Sequence, residues 1–182
     1  MSAKKVLMIV APQNFRDEEF FETRTALEAA GYQVTVASLG VDKATGMLGG
    51  ETPVDLDLEQ ANPADYDAVV FVGGSGASVY FDHPKALELA RQAAQSDKVV
   101  AAICIAPSIL ANAGLLEGKQ ATSWPSEKEN LEAKGASYTG EPVTVDGRIV
   151  TASGPTAARQ FGQTLAQLLA EPESATSTPR QD

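Results

Sequence analysis

Short, almost unbroken apolar runs alternate along this chain with longer segments of helical periodicity. The runs 5–11, 67–72 and 99–103 are rich in branched aliphatic residues, as expected of strands that are covered on both faces. The segments 17–30 and 83–96 between them have helical spacing. This alternation of strands with helices predicts an α/β fold with a mostly parallel sheet.

The remaining predicted elements are shorter. They are strands over 33–38, 120–124, 143–145 and 148–152, and helices directly after Cys104, over 127–134 and over 156–170. Residues 146–147, Asp-Gly, predict a two-residue hairpin turn. Residues 46–58 are expected to be irregular, with a small hairpin turning at the two glycines 49–50. Asp82 is the expected N-cap of the second helix.

Length and charge exclude several classes of protein. A chain of 182 residues fits a single domain, expected over 1–170, and the polar segment 171–182 is expected to be a disordered tail. A net charge of −10 argues against nucleic-acid binding. No apolar run approaches the ~20 residues of a membrane span. The single cysteine and the absence of a signal-peptide pattern predict a cytoplasmic location.

Cys104 stands where an apolar strand gives way to a helix. A thiol at a helix N-terminus is near unpaired N–H groups and the positive end of the helix dipole, which lower a cysteine pKa. This placement favours a reactive thiolate. A small buried core side chain is the alternative, and the spacing alone leaves both interpretations open.

Two further groups are expected at the same edge of the sheet, because sites in open α/β sheets lie beyond the carboxyl ends of the strands. Gly73 and Gly74 end one strand, and the N–H groups of Gly74 and Ile105 could together form an oxyanion hole. The acidic turn 15–19 follows the first strand. Taken singly, the glycines also fit a tight turn, and the acids also fit a solvated helix N-terminus.

Four segments together resemble the ThiJ/PfpI superfamily. They are KKVLMIVAPQNFRDEEFFE, ADYDAVVFVGGSGA, VVAAICIAPSILANAGLLEGKQATSW and DGRIVTASGPTAARQFGQTLAQLL, which extend from Lys4 to Leu169. The resemblance implies a flavodoxin-like three-layer sandwich with Cys104 on a strained nucleophile elbow. It also implies a homodimer, or a higher homo-oligomer as in the protease-like branch.

The resemblance further assigns roles around Cys104. The glutamate expected beside the thiol is Glu19, with Glu18 as the second choice. A low cysteine pKa would require that glutamate to be protonated, since two adjacent negative charges raise both pKa values. Gly154 and Pro155 are expected to border the pocket. Trp124 either forms an aromatic wall of the site or belongs to the core or a dimer contact.

The chain departs from the family pattern at both familiar histidine positions. The residue after the cysteine, histidine in protease-like relatives, is Ile105, and the histidine of deglycase-like relatives is replaced by Trp124. The one histidine, His83, is expected to lie at the surface or cap a helix. No Cys–His proton relay is therefore expected, and neither a metal nor a cofactor is predicted.

The sequence thus leads to three functional hypotheses. The first is a cofactor-free, cysteine-dependent hydrolase or glyoxalase, with deglycase-like action on small reactive carbonyl compounds in stress protection. The second is a non-enzymatic redox sensor or stress chaperone that acts through oxidation of Cys104. The third, an intracellular peptidase, is disfavoured by Ile105.

Overall fold

A computed structural model of the protein describes residues 4–171. The helices within this range are α1 (Asp17–Ala29), α2 (Pro84–Gln95), α3 (Pro107–Asn112), α4 (Lys128–Ala133) and α5 (Ala158–Ala170). The strands are β1 (Lys5–Ile9), β2 (Gln13–Phe15), β3 (Gln33–Ser38), β4 (Lys43–Gly46), β5 (Glu51–Pro53), β6 (Leu56–Asp57), β7 (Ala68–Phe71), β8 (Val99–Ile103), β9 (Gln120–Ala121), β10 (Ser137–Tyr138), β11 (Val143–Asp146) and β12 (Ile149–Ala152).

The main sheet has the order β11-β12-β8-β7-β1-β3-β6. All its neighbours are parallel except β11, which pairs antiparallel with β12 through the predicted turn at residues 146–147. The central strands β1, β7 and β8 are almost entirely buried, as their continuous apolar runs predicted. The predicted α/β fold, a flavodoxin-like sandwich with a mostly parallel sheet, is confirmed.

Each face of the sheet has its own apolar core. On one face, Phe20 and Leu27 of α1 pack with Phe161 and Leu165 of α5. The opposite core includes side chains from α2, α3 and α4, namely Leu89, Ile109, Leu110 and Leu131. The two cores hold the strands between two helical layers and fix the edge of the sheet at which their carboxyl ends emerge.

Local structure differs from the sequence predictions at two sites. The helix over 84–95 is capped by His83, whose Nδ1 accepts from the N–H groups of Lys85 and Ala86, so Asp82 is not the cap. The predicted strand 120–124 is reduced to β9, which pairs with β10 outside the main sheet. The chain beyond β9 departs because the Trp124 N–H bonds to the carbonyl oxygen of Cys104 instead of to a strand.

Other boundaries shift by a turn or less. The final helix begins at Ala158 after a 3-10 turn over Pro155–Ala157, rather than at residue 156. The expected small hairpin is present as β4 and β5, which pair antiparallel around the turn 47–50.

The predicted disordered tail, apart from residue 171, lies outside the described residues. Between residues 4 and 171, no helix is long and apolar enough to cross a membrane.

Candidate active site

Four adjacent strands of the main sheet, β12, β8, β7 and β1, end at one edge. The segments that leave these ends carry Gly154, Cys104, Gly73 and, after the short strand β2, Glu19. The sequence could place each of these residues at the end of a strand. The strand order now shows that the four strands are direct neighbours, which brings their terminal segments together around Cys104.

Cys104 occupies a strained backbone conformation at the end of β8. Its φ of +67° lies in the left-handed region, which is unfavourable for a non-glycine residue. Its N–H donates to the carbonyl oxygen of Ala152 at 2.9 Å, and its own carbonyl accepts from the N–H of Trp124 at 2.8 Å. The strand on one side and the Trp124 segment on the other therefore hold the cysteine at a sharp turn, with 8% of its surface exposed.

The two glycines at the end of β7 permit close packing around this turn. A methyl group at residue 73 would meet a carboxyl oxygen of Glu19 and would lie 2.6 Å from Cβ of Cys104. Gly74 has φ of +103°, and a side chain there would collide with the main chain at Arg16. The glycines thus let β7 approach both the thiol and the start of α1, as the oxyanion-hole hypothesis requires.

Glu19 is the acid that lies beside the thiol. It is fully buried on the inward side of α1. The Cys104 thiol and the Gly73 N–H are near enough to lower the pKa of Glu19, yet within residues 4–171 neither carboxyl oxygen has a hydrogen bond of ordinary geometry. Burial outweighs these contacts and raises the pKa of Glu19 to about 8. Glu19 is therefore protonated at neutral pH.

Burial, and then the charge of Glu19, raises the pKa of the Cys104 thiol to about 12. The N–H groups of Gly74 and Ile105 act in the opposite direction. This result is contrary to the lowered pKa that the sequence predicted from a helix N-terminus. The sequence does not show how far the fold withdraws the sulfur from water, and withdrawal disfavours the charged form.

Cys104 and Glu19 titrate as a pair. Removing one proton leaves a single negative charge in the site, whereas removing the second places two like charges side by side. With a pKa of about 8 for Glu19, the pair is fully protonated at pH 7 and loses its first proton in mildly alkaline solution. The first proton therefore leaves Glu19 while the thiol keeps its own, although the N–H groups of Gly74 and Ile105 face the sulfur and lessen the rise of the thiol pKa.

Glu18, the second choice for the acid, does not share this position. It forms a two-pronged ion pair with Arg16, whose Nε and Nη2 donate to its two carboxyl oxygens at 2.8 and 3.0 Å. No role was predicted for Arg16, although a cation inside an acidic run was a visible signal. The N–H of Arg16 donates to the carbonyl oxygen of Gly73 at 2.9 Å, which joins the start of α1 to the β7 loop.

A turn distant in sequence also borders the site. Asp17 accepts from the N–H groups of Leu48 and Gly50 at 2.8 and 2.7 Å, which fixes the turn 47–50 over the start of α1. Met47 Sδ accepts from the N–H of Ser75, directly after the two glycines, at 3.4 Å. Nothing in the sequence indicated this contact, because residues 47–50 lie in the segment 46–58, which has no periodic pattern.

Trp124 lies next to the cysteine through its main chain and against Gly154 through its indole ring. A methyl group at residue 154 would be 2.8 Å from the Trp124 ring, so glycine lets the ring lie directly against this segment. The indole remains 46% exposed. It is therefore not a core residue, and it lies where an aromatic wall was expected. Pro155 follows Gly154 as the first residue of a 3-10 turn.

His83 caps a helix and does not contact Cys104. Its Nδ1 accepts from the N–H groups at the start of α2, and its Nε2 lies 3.5 Å from a carboxyl oxygen of Glu59. The expected capping role is confirmed, and the chain has no second histidine to pair with Cys104. In the part of the chain that the structure describes, no group of three or more His, Cys, Asp or Glu side chains is arranged to hold a metal ion.

Comparison with known proteins agrees with this arrangement. A sequence model of the DJ-1/PfpI family matches residues 4–168. An uncharacterized protein of Methanocaldococcus jannaschii is 43% identical over 89% of this chain and 80% of its own length. A deglycase of Pyrococcus abyssi is 34% identical over 82% of this chain and 90% of its own length. The crystal structure of a ThiJ/PfpI domain protein from Brachyspira murdochii is 36% identical, with a TM-score of 0.90 over 93% of this chain and 98% of that one.

Proposed function

This chain belongs to the DJ-1/PfpI family, and from that premise we propose that it is a cofactor-free enzyme that acts on small reactive carbonyl compounds. In this proposal Cys104 is the nucleophile and Glu19 the proton carrier. The similarity to proteins named deglycases supports this class of substrate. The missing histidines require that the thiol and a single acid carry out all the proton transfers.

One observation carries the proposal: a fully buried glutamate, protonated at neutral pH, lies beside a cysteine on a strained elbow. Burial of an acid without ordinary hydrogen bonds is costly unless it holds its proton. A fold that buries Glu19 here keeps a proton next to the sulfur. General acid and base catalysis needs such a group within reach of the reacting atoms.

The reaction begins from the singly protonated pair. In this form Glu19 is a carboxylate, and it takes the thiol proton as the sulfur of Cys104 forms a bond to the aldehyde carbon of a 2-oxoaldehyde. The carbonyl electrons move to the oxygen, which then takes the proton from Glu19. The N–H groups of Gly74 and Ile105 stabilise the negative charge in this region as it moves. The product is a hemithioacetal on Cys104, and Glu19 is left as a carboxylate.

Glu19 then acts as a base. Its carboxylate removes the proton from the former aldehyde carbon and returns it to the neighbouring carbon, while the hydroxyl proton passes from the first oxygen to the second. The hemithioacetal thereby becomes a thioester. Water hydrolyses the thioester to a 2-hydroxy acid and restores the thiol. The sum of these steps is addition of one water molecule to the 2-oxoaldehyde, and no external oxidant or reductant is required.

A second candidate function rests on the same pair of residues. Peroxide converts a thiol to a sulfenic acid and then a sulfinic acid, with one water molecule formed at each step. A protonated Glu19 could donate a hydrogen bond to the resulting sulfinate, which would favour a sensor that responds to oxidants. Peptide hydrolysis has no comparable support, because Ile105 replaces the histidine and His83 is committed to a helix cap.

Methylglyoxal turnover tests the proposal. We expect production of lactate by the wild type, loss of activity to background in Cys104→Ser, and a loss of about 10²- to 10⁴-fold in Glu19→Gln, which cannot exchange protons. Glu22→Gln makes the same chemical change on an exposed position of α1 and should retain full activity. An inactive wild type that still oxidises stepwise at Cys104 with dilute peroxide would overturn the enzyme proposal in favour of the sensor.

A further inference from the structure

The start of α1 carries a cation that the reaction above does not use. The Arg16 guanidinium and the Glu18 carboxylate form a planar two-pronged pair, and their side chains are 29% and 35% exposed. Ligands arriving from water can therefore reach the pair. The two parallel N–H donors of a guanidinium, here called the Arg16 fork, bind carboxylates in general. Glu18 is the carboxylate that they bind in the free protein.

Arg16 also contacts the loop after β7, which contains Gly73 and Gly74. Its N–H bonds to the carbonyl oxygen of Gly73, and its main chain packs directly on Gly74, one of the two N–H donors that face the sulfur. The positive charge of Arg16 lowers the pKa of Glu19, and negative charge on Cys104 raises the pKa of Arg16. The guanidinium is thus near enough to act on both reacting groups.

We propose that Arg16 selects carbonyl substrates that carry a carboxylate, with the substrate carboxylate taking the place of Glu18 on the Arg16 fork while its carbonyl carbon meets Cys104. The proposal rests on the proposed function, since it assumes that Cys104 adds to carbonyl carbons. Addition follows the same balance as before: the sulfur bonds to carbon, and Glu19 passes the thiol proton to the carbonyl oxygen.

The exchange of one carboxylate for another suits this site. A substrate carboxylate brings the same charge to Arg16 that Glu18 supplied, so Arg16 remains neutralised and the charge that acts on Glu19 is unchanged. A free anion would otherwise be repelled, because the protein has a net charge of −10. Glu18 is partly exposed on the first turn of α1 and can turn outward to water when it is displaced.

A pair of matched alkylating reagents tests the charge preference at Cys104. Iodoacetate carries a carboxylate, whereas iodoacetamide has nearly the same shape and is neutral, so the ratio of their rates isolates charge recognition. We expect Arg16→Gln to lower the iodoacetate-to-iodoacetamide ratio about 3- to 10-fold, Arg16→Lys to restore part of it, and Glu18→Gln to raise it. Arg16 makes no side-chain cap at the start of α1, so its replacement removes no helix cap.

Arg91→Gln is the matched control. It also removes one arginine charge, but from the C-terminal part of α2, where Arg91 bonds to the carbonyl oxygen of Ala113. The ratio of its iodoacetate rate to its iodoacetamide rate should equal that of the wild type. An unchanged ratio in Arg16→Gln, or an equal fall in Arg91→Gln, would overturn the role of Arg16.

Failure of the proposed function is recognised separately. If native Cys104 does not react even with iodoacetamide, the nucleophile proposal fails, and binding of glyoxylate to Cys104→Ser then decides the role of Arg16. Trp124 is the only tryptophan of the chain and lies beside Cys104, so its fluorescence reports this binding. Weaker glyoxylate binding after Arg16→Gln supports the proposal, and equal binding contradicts it.

Discussion

Glu19 is completely buried beside the thiol of Cys104, and neither residue can ionise without opposing the ionisation of the other. This relationship makes the site a reservoir for one exchangeable proton near neutral pH. It also links the stability of the fold to the protonation of the site, because the same buried acid belongs to the apolar side of α1.

The first prediction concerns stability against pH. The folded chain keeps the Glu19 proton up to about pH 8, whereas the unfolded chain releases it near pH 4.5. The stabilisation from this proton is therefore complete below pH 4.5 and is lost as the pH rises toward 8. Between pH 5 and pH 8, urea unfolding of the wild type should show a loss of about 4 kcal/mol that Glu19→Gln lacks.

Glu22→Gln is the control for that measurement, since it changes a glutamate on the exposed side of the same helix. Its unfolding free energy should follow the wild-type dependence on pH. Parallel curves for the wild type and Glu19→Gln would show that Glu19 is ionised in the folded protein.

The second prediction concerns the reactivity of Cys104. Burial and the adjacent Glu19 both raise the pKa of the thiol, to about 12, so alkylation by iodoacetamide, followed by intact mass, should be slow at pH 8 and accelerate in more alkaline solution. Glu19→Leu keeps the site apolar but removes the charge and the hydrogen bond that oppose ionisation of the thiol. Alkylation at pH 9 should therefore be faster in Glu19→Leu than in the wild type. An equal or lower rate in Glu19→Leu would show that Glu19 does not oppose ionisation of Cys104.

The third prediction concerns the close approach of β7. Gly73→Ala places a methyl group on Glu19, Cys104 and the carbonyl oxygen of Ile103, the last at 2.6 Å. We expect a loss of about 1–3 kcal/mol in unfolding free energy, with alkylation of Cys104 at pH 8 altered several-fold. Gly31→Ala is the control: it meets no neighbour but is strained by its φ of +88°, so it should cost about 1 kcal/mol and leave alkylation unchanged.

The fourth prediction separates His83 from catalysis. His83→Ala removes the cap of α2 and should lower the unfolding free energy by about 1 kcal/mol, with methylglyoxal turnover unchanged. Asp82→Ala alters the neighbouring residue, which makes no cap, and should stay within about 0.5 kcal/mol of the wild type. A loss of turnover in His83→Ala at full stability would indicate an unrecognised role for the imidazole.

Sequence reasoning succeeded where the signal is local or repeated. Continuous apolar strands identified the parallel sheet, and the strand-to-helix junction placed Cys104 at a turn, whose strain was implied by the family resemblance. It failed at the cap of α2 because Asp82 and His83 are adjacent and both precede a proline-led helix. It failed over 120–124 because the main-chain partner of Trp124 is Cys104, a residue 20 positions earlier in the chain.

The amino-acid sequence by itself determined the α/β architecture, the family resemblance and the presence of Cys104, Glu19 and paired glycines at strand ends. Only the tertiary structure decided that Glu19 and not Glu18 is beside the thiol, that Arg16 borders the site, and that the cysteine pKa is raised. The reason is physical. Periodicity and turn residues act over a few positions, whereas burial and charge interactions depend on which distant segments pack around an atom, and the sequence does not display that packing.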